Sequence, residues 1–169
     1  PENEDEILLL PHGELGEIVV RGYNLFAGYL GRPEATEEAF TDGWFRTGDL
    51  GTKDDDDYIT IVDRKKDMIV RNGYNVYPNE VEQVLLRHPG VVNAAVFGVA
   101  DDTHGQEIHA AVIPHDDTVA AEELIEFVKE RIAAYKYPRV VHLVPELPLG
   151  PSGKVLKREL VARFQTAPA

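Results

Sequence analysis

The chain has 169 residues, with 17 Lys and Arg against 30 Asp and Glu, and its formal net charge at pH 7 is −13. This charge argues against a nucleic-acid polymer as partner, because phosphate backbones are bound by basic surfaces. The chain contains no cysteine, so disulfides, Cys-ligated zinc, iron–sulfur clusters and thiol nucleophiles are excluded.

The first part of the chain is acidic, and its pattern predicts β structure. Pro1–Asp63 carries 4 basic and 16 acidic side chains. Strands are predicted at three places, namely Ile7–Leu10, Glu17–Arg21 and Tyr58–Val62. Asp42-Gly43 predicts a turn that enters a further strand. Asp54–Asp57 is interpreted as a polar turn, because the central Gly and terminal Glu of an EF-hand calcium loop are absent.

The charge balance changes near residue 63. Residues 64–169 carry 13 basic and 14 acidic side chains, which makes them almost neutral. The change falls at Asp63-Arg64-Lys65-Lys66-Asp67, and a shift of this kind is typical of a domain boundary. We therefore predict a linker or hinge at this run.

The second part of the chain alternates predicted strands and helices. Asn72-Gly73 between two short apolar runs is the strongest local signal for a tight β-hairpin. Pro78 suits the first position of a helix, which His88-Pro89-Gly90 ends. Further elements are predicted as strands at Val91–Val99, Ile108–Ile113 and Arg139–Val144, and as helices at Glu122–Arg131 and Lys157–Phe164. Together these elements predict the α+β class.

Several kinds of catalytic site are absent from the sequence. Ser152 is the only serine, and Gly153 follows it directly, so it does not stand in a Gly-x-Ser-x-Gly nucleophile elbow. His104, His109 and His115 are spaced unlike zinc ligands, so no metal site is predicted. Neither the Gly-x-Gly-x-x-Gly pattern nor the P-loop pattern for phosphate binding occurs.

Four clusters are candidates for chemistry, although each by itself also fits a solvated turn or a boundary. In Gly43–Asp49 a single carboxylate lies next to a glycine, where its two oxygens could accept both hydroxyls of a ribose. Three consecutive cations occupy Arg64–Lys66. Tyr135–Pro138 precedes a strand, and Pro148–Lys154 is a Gly- and Pro-rich loop that ends in a lysine.

The order of these clusters resembles the C-terminal third of the adenylate-forming enzymes, the superfamily of acyl-CoA synthetases, peptide-synthetase adenylation domains and firefly luciferase. The resemblance runs from Gly13 to about Leu160. Its motifs are, in order, Gly13–Ile18 with Gly28–Leu30, Trp44–Asp49, Asp63–Glu82 and Ser152–Lys154. The third motif is the most specific, and the order of all four makes the signal strong.

The resemblance implies two domains and a longer parent protein. Residues 1–63 are expected to be the end of a large N-terminal AMP-binding domain, from its β-barrel subdomain, and residues 64–169 the small, mobile α+β C-terminal domain. The family's phosphate loop, Mg²⁺ ligand and acyl pocket would lie upstream, so the chain alone is expected to be inactive. A cytoplasmic location is expected, and no transmembrane segment is visible.

The family's reaction has two steps, and the resemblance assigns residues to both. A carboxylate attacks the α-phosphate of ATP to give an acyl-adenylate and pyrophosphate, and a thiol then displaces AMP. By resemblance, Asp49 holds the ribose hydroxyls and Arg64 lies beside the same sugar, so both are expected to bind nucleotide. Lys154 is the expected catalytic residue of the first step, where a fixed cation stabilises charge that develops on oxygen.

The resemblance also implies that the small domain rotates between the two steps about a hinge at Lys66. Rotation would replace Lys154 at the reaction centre by the hairpin turn at Asn72, Gly73 and Tyr74. Gly73 has no Cβ, so its backbone could approach the thiol of CoA closely, although turn geometry alone also accounts for a glycine here.

Details of the motifs favour one branch of the family. Ser152–Arg158 is similar to the last motif of acyl-CoA synthetases, and Val70 favours the bacterial fatty-acyl branch over coumarate ligases and luciferases. The sequence therefore predicts the C-terminal portion of an ATP-dependent, AMP-forming acyl-CoA ligase for long-chain fatty acids. Its ligands are ATP/AMP and CoA, with Mg²⁺ bound outside this chain, and its protein partner is the rest of the N-terminal domain. Two alternatives stay open: an adenylation domain that loads a carrier protein, and a non-catalytic interaction module.

Overall fold

A computed structural model describes residues 6–165 of the chain. The chain divides into two compact units, Pro1–Lys66 and Asp67–Ala169. Both units combine helices with largely antiparallel sheets, which confirms the predicted α+β class. The division falls shortly after the predicted boundary at Asp63, within the run of charges that suggested it. The assignment of the units to an N-terminal and a C-terminal domain stays a prediction.

The first unit is built on one four-stranded antiparallel sheet. Its elements are β1 (Gly16–Val20), α1 (Pro33–Glu38), β2 (Phe40–Thr41), β3 (Trp44–Lys53) and β4 (Ile59–Arg64). The long strand β3 is central, with β1 along one edge and both β2 and β4 along the other. Within the described residues of this unit the sheet is open and does not close into a barrel.

Two features of the first unit differ from the sequence-based expectation. The predicted strand at Ile7–Leu10 is wrong, because this segment has no strand structure and Leu8 and Leu9 are exposed. Its three consecutive leucines do not alternate with polar residues, so they do not commit one face to a sheet. Helix α1 was not predicted, because its sequence Pro-Glu-Ala-Thr-Glu-Glu has no apolar stripe, and none of its residues is buried.

In its described residues, the second unit contains a five-stranded sheet and three α-helices. Its elements are β5 (Ile69–Arg71), β6 (Tyr74–Val76), α2 (Pro78–Leu85), β7 (Val91–Asp101), β8 (Gly105–Pro114), α3 (Ala121–Lys129), β9 (Val140–Leu143) and α4 (Lys157–Phe164). Strand β8 pairs with β7 along one edge, and its other edge is shared by β5 and the parallel strand β9. In the part of the chain that the structure describes, no helix is long and apolar enough to cross a membrane.

The paired strands β7 and β8 are buried on both faces. Val96 belongs to a buried cluster that includes Leu85 of α2 and Leu124 of α3, whereas its neighbour Phe97 packs with Leu160 of α4. Since successive side chains of a strand point to opposite faces, α2 and α3 cover one face and α4 covers the other. This explains why β7 is a nearly continuous apolar run rather than an alternating one.

A largely buried carboxylate binds a backbone N–H at the outer edge of β7. Glu82 of α2 accepts the backbone N–H of Val96 through Oε1 at 2.8 Å. The same oxygen lies 2.8 Å from Nζ of Lys157 at the start of α4. Both side chains are largely buried, at 17% and 20% exposed. Glu82 therefore joins helices from opposite faces and satisfies a strand N–H that β8 does not reach.

We predict that Glu82→Ala lowers the free energy of unfolding by about 2 kcal/mol, because it leaves Lys157 and the Val96 N–H without their common acceptor. Glu82→Gln keeps an acceptor for Val96, so its cost should be about half as large. Urea unfolding followed by circular dichroism measures the change, and amide exchange at Val96 locates it. Glu126→Ala, which removes an exposed pair with Lys129, is the control and should cost less than about 0.5 kcal/mol.

Candidate functional site

The register of β3 and β4 brings two predicted site residues into contact. Asp49 and Arg64 are direct partners across the antiparallel pair, so their side chains lie on the same face of the sheet. Arg64 Nε donates to Asp49 Oδ1 at 3.1 Å. The side chain of Asp49 remains 33% exposed. Its second oxygen Oδ2 and the remaining lone pairs of the carboxylate are thus compatible with further donors, such as a pair of hydroxyls.

The backbone just before Asp49 is fixed by hydrogen bonds to β1. Thr47 Oγ1 donates to the carbonyl of Ile18 at 2.7 Å and accepts the N–H of Asp49 at 3.0 Å. Gly48 has φ of +72°, a conformation that favours glycine. Its N–H donates to Glu17 Oε1 at 3.2 Å. The strand therefore presents Asp49 from a locally constrained backbone.

Glu17 is the centre of this arrangement. Its Oε2 accepts Arg46 Nη2 at 2.6 Å and Nε at 3.1 Å, and it lies 3.5 Å from Lys65 Nζ. Burial of Glu17, whose side chain is 13% exposed, raises the pKa of its carboxyl. The hydrogen bond and charge of Arg46, the charge of Lys65 and the N–H of Gly48 outweigh burial, so the pKa lies below its ordinary value. Glu17 is therefore ionised across the neutral range.

A cationic cleft lies beside Gly48. Its volume is about 470 Å³, and it is lined by Thr47, Gly48, Arg64, Lys65 and Lys66. The last two belong to a short 3₁₀ helix, Lys65–Asp67. Three adjacent cations favour an anionic ligand, and Arg and Lys are the usual partners of phosphate oxygens. The first unit thus combines a partly exposed carboxylate with a neighbouring cleft of positive charge.

The predicted hairpin is present in the second unit, and its turn is exposed. Strands β5 and β6 are joined by Asn72 and Gly73, with φ of +51° and +78°. Positive φ at both positions is typical of a type I′ turn, which matches the twist of a hairpin. Tyr74 follows the turn and stacks on Tyr135, with ring centroids 4.8 Å apart. The turn thus presents backbone atoms to solvent beside an aromatic pair.

Lys154 lies in a separate, narrow loop of the second unit. Leu149 and Val155 form an isolated antiparallel bridge, and the N–H of Gly150 donates to the carbonyl of Lys154 at 2.8 Å. The lysine is exposed, and α4 begins shortly after it. The fold thus holds the backbone at Lys154 in place while leaving its ammonium group in solvent.

The structure therefore brings Asp49, Arg64 and Lys66 to one region of the first unit, whereas the hairpin turn and Lys154 occupy two different loops of the second. Sequence reasoning missed Glu17 and Arg46 as organisers of the site. They lie 29 residues apart, so no local spacing could have shown that they pair. No group of three or more His, Asp or Glu side chains within residues 6–165 is arranged to hold a metal ion.

Comparison with known proteins gives consistent matches. Residues 80–154 match the family described as the AMP-binding enzyme C-terminal domain. A feruloyl-CoA synthase of an Amycolatopsis species is 48% identical over 156 residues, which is 92% of this chain and 32% of that protein. A long-chain-fatty-acid–CoA ligase of Escherichia coli is 41% identical over 157 residues, which is 93% of this chain and 28% of that protein.

A solved structure is similar to this chain over most of this chain's length. The o-succinylbenzoate-CoA synthetase of Bacillus subtilis, in complex with its acyl-adenylate intermediate, superposes with a TM-score of 0.83 at 41% identity. The match covers 89% of this chain and 31% of that one. The chain therefore spans about a third of the length of the proteins it matches.

We predict that Glu17→Gln lowers the free energy of unfolding of the first unit at pH 7 by about 1 to 2 kcal/mol, because it removes a charged acceptor shared by donors of three residues. The pKa of Glu17 is lowered in the folded state. The stabilisation by its charge is therefore full above about pH 4.5, the ordinary pKa of a glutamate, and is lost as the pH falls through the folded pKa. The difference in the free energy of unfolding between wild type and Glu17→Gln should therefore be smaller at pH 3 than at pH 7.

Trp44, the only tryptophan, lies on β3, so its fluorescence during urea unfolding reports on this unit. Glu14→Gln, which changes an exposed carboxylate in the same segment, is the matched control. Its free energy of unfolding should equal that of the wild type at both pH values. A stability gap for Glu17→Gln that is the same at pH 7 and pH 3 would contradict the role of its charge.

Proposed function

Since this chain belongs to the adenylate-forming enzyme superfamily and corresponds to the C-terminal portion of its acyl-CoA ligases, we propose that the full-length protein is an ATP-dependent, AMP-forming acid–CoA ligase. One observation of the structure supports this proposal above others. Asp49, a partly exposed carboxylate, pairs with Arg64 at a cleft lined by cations. This combination suits a nucleotide, because the two ribose hydroxyls can donate hydrogen bonds to a carboxylate and the phosphates carry negative charge.

In the first proposed step an oxygen of the carboxylic acid attacks the α-phosphorus of ATP. The bond between the α-phosphorus and the bridging oxygen of pyrophosphate breaks, and pyrophosphate leaves with the electron pair. Asp49 accepts the ribose hydroxyls, and Arg64 lies beside the same sugar. The ammonium of Lys154 stabilises the charge that shifts between the acid and phosphate oxygens. Mg²⁺ would accompany the phosphates of ATP, and its protein ligands are expected outside this chain.

In the second proposed step the sulfur of CoA attacks the carbonyl carbon of the acyl-adenylate. The acyl–oxygen bond breaks, AMP leaves, and the thiol proton is released to a base. The second unit swings about Lys66, so that the turn at Asn72 and Gly73 replaces Lys154 near the reaction centre. Tyr74 supports the turn from one side through its stacking on Tyr135. The assignment of the two units to a fixed domain before residue 64 and a mobile one after it is part of this proposal.

We propose a long-chain fatty acid as the acid substrate. The Val70 pattern supports this choice, since it resembles the bacterial fatty-acyl branch, whereas Ser152–Arg158 resembles acyl-CoA synthetases in general. The matched proteins act, by name, on ferulate and on o-succinylbenzoate as well as on long-chain fatty acids, so aromatic acids are the direct competitors. Pyrophosphate exchange by the full-length protein with palmitate, ferulate and o-succinylbenzoate tests the choice. Exchange with an aromatic acid only would overturn it while leaving the ligase proposal intact.

The acceptor is tested separately. The full-length protein, loaded with acyl-adenylate, is offered either CoA or a carrier protein that bears phosphopantetheine. The proposal requires acyl transfer to CoA, whereas transfer only to the carrier identifies a carrier-loading adenylation enzyme. A protein that neither binds AMP nor exchanges pyrophosphate with any acid is a non-catalytic module, and the proposed function then fails.

In the full-length protein, Lys154→Ala should slow adenylation by about a hundredfold or more, because one preorganised cation at a developing charge contributes this much. The reaction of preformed acyl-adenylate with CoA should change by less than about threefold, because the lysine is then away from the reaction centre. Single-turnover assays of the two half-reactions measure both effects.

Lys154→Arg should restore little of the loss, since a planar guanidinium places its charge differently from an ammonium. Lys129→Ala, which removes an exposed lysine of α3 that pairs only with Glu126 among the described ion pairs, is the matched control and should behave as wild type. Equal losses in both half-reactions on Lys154→Ala would rule out the role assigned to this lysine.

A further inference from the structure

The hairpin turn that the proposed function places near CoA is only weakly attached to the sheet by its backbone. Strand β5 pairs with β8 at a single position, where Arg71 lies opposite Gly105. Strands β5 and β6 pair with each other over three positions. The two residues of the turn, Asn72 and Gly73, are exposed. A short two-stranded hairpin of this kind needs further contacts to hold one position.

Three successive residues of β5 and its turn obtain these contacts from one short segment. The N–H of Val70 donates to Oε1 of Gln106 at 2.7 Å. The N–H of Asn72 donates to the carbonyl of His104 at 2.9 Å. Between them, the side chain of Arg71 binds Glu107. The start of β8 and the loop before it therefore hold the hairpin through two side chains and one carbonyl.

The Arg71–Glu107 contact is the most constrained of the three. Arg71 Nε and Nη2 donate to Glu107 Oε1 and Oε2 at 2.6 and 3.0 Å, which is a bidentate pair of fixed orientation. Both side chains are largely buried, at 10% and 15% exposed. The N–H of Ile108 also donates to Glu107 Oε1 at 2.9 Å, so the carboxylate is itself held by β8. The guanidinium of Arg71 is thus fixed immediately before Asn72.

Arg71 and Glu107 each favour the charged form of the other. The hydrogen bond to Glu107 raises the pKa of Arg71. Burial raises the pKa of Glu107, but hydrogen bonds from Arg71 and Ile108 and the charges of Arg71 and Arg139 outweigh it and lower the value. Both groups are therefore charged. Removing the carboxylate leaves Arg71 buried without its partner, and the arginine and adjoining turn must then shift toward solvent.

We propose that Glu107 is a positioning residue for the thioester-forming step, because through Arg71 it fixes the place of the Asn72–Gly73 turn. This inference rests on the proposed function, in which the turn approaches the thiol of CoA. It concerns one half-reaction only, because adenylation uses Lys154, which lies in a different loop. A displacement of a reacting group by about 1 Å can slow a reaction by as much as a hundredfold, so a loosened turn should affect thioester formation selectively.

The test uses Glu107→Gln in the full-length protein. Glu107→Gln keeps the size and one acceptor oxygen but removes the charge. We expect the reaction of preformed acyl-adenylate with CoA to slow by about tenfold, and adenylation to change by less than about twofold. Hydrogen exchange at the amides of Asn72 and Gly73, measured without substrates, should become faster.

Two further variants complete the design. Arg71→Lys keeps the positive charge but cannot form the bidentate pair, so it should show the same selective loss of thioester formation in a milder form. If Glu107→Gln does not fold, Arg71→Lys is the variant that tests the proposal. Glu126→Gln, in the exposed pair with Lys129, is the matched control and should leave both half-reactions and the amide exchange unchanged.

The outcomes are separable. Selective loss of thioester formation with faster exchange at the turn supports the proposal. Equal loss in both half-reactions, or no loss in either, overturns it and leaves Glu107 with a purely structural role or none. If the wild-type protein forms no acyl-adenylate, the proposed function fails and the positioning role with it. The exchange measurement then still decides whether Glu107 immobilises the turn.

Discussion

The second unit depends on one constraint: β7 and β8 are paired along almost their whole length and are buried on both faces. Both apolar faces of this strand pair must be buried by packing, and α2 and α3 pack on one face while α4 packs on the other. The outer edge of β7 also needs an acceptor, and Glu82 supplies it while binding Lys157 at the start of α4. The helix that follows Lys154 is thereby tied to the sheet, and the loop that carries the lysine is anchored at its far end.

The two candidate sites share one feature: a largely buried carboxylate binds the chain next to the proposed site residue. Glu17 binds Arg46 and the N–H of Gly48 next to Asp49, and Glu107 binds Arg71 next to Asn72. In each case an arginine fork fixes orientation as well as distance. Of the residues proposed to meet a ligand, Asp49 is partly exposed and Asn72 is exposed, and each directly follows a residue that the carboxylate binds.

Local chemistry decides what the sequence could predict. Asn72-Gly73 specifies its own turn and Pro78 specifies the start of α2, so both elements were predicted. The family motifs likewise pointed to Asp49 and Arg64 before their contact was known. Glu17 with Arg46, and Arg71 with Glu107, could not be paired in advance, because 29 and 36 residues separate them and only strand register brings them together. The strand prediction for Ile7–Leu10 was wrong because a short apolar run does not by itself specify a partner strand.

The similarity pattern also bears on the roles proposed for this portion. Proteins named for ferulate and for long-chain fatty acids match nearly the whole of this chain at 48% and 41% identity, although these acids differ greatly in shape. A portion shared so evenly is suited to the parts of the reaction that such acids have in common. In the proposed reaction those parts are the ribose, the phosphates and the thiol, to which Asp49, the cationic cleft and the hairpin turn are assigned. Identity over this portion therefore does not follow the size or shape of the named acid.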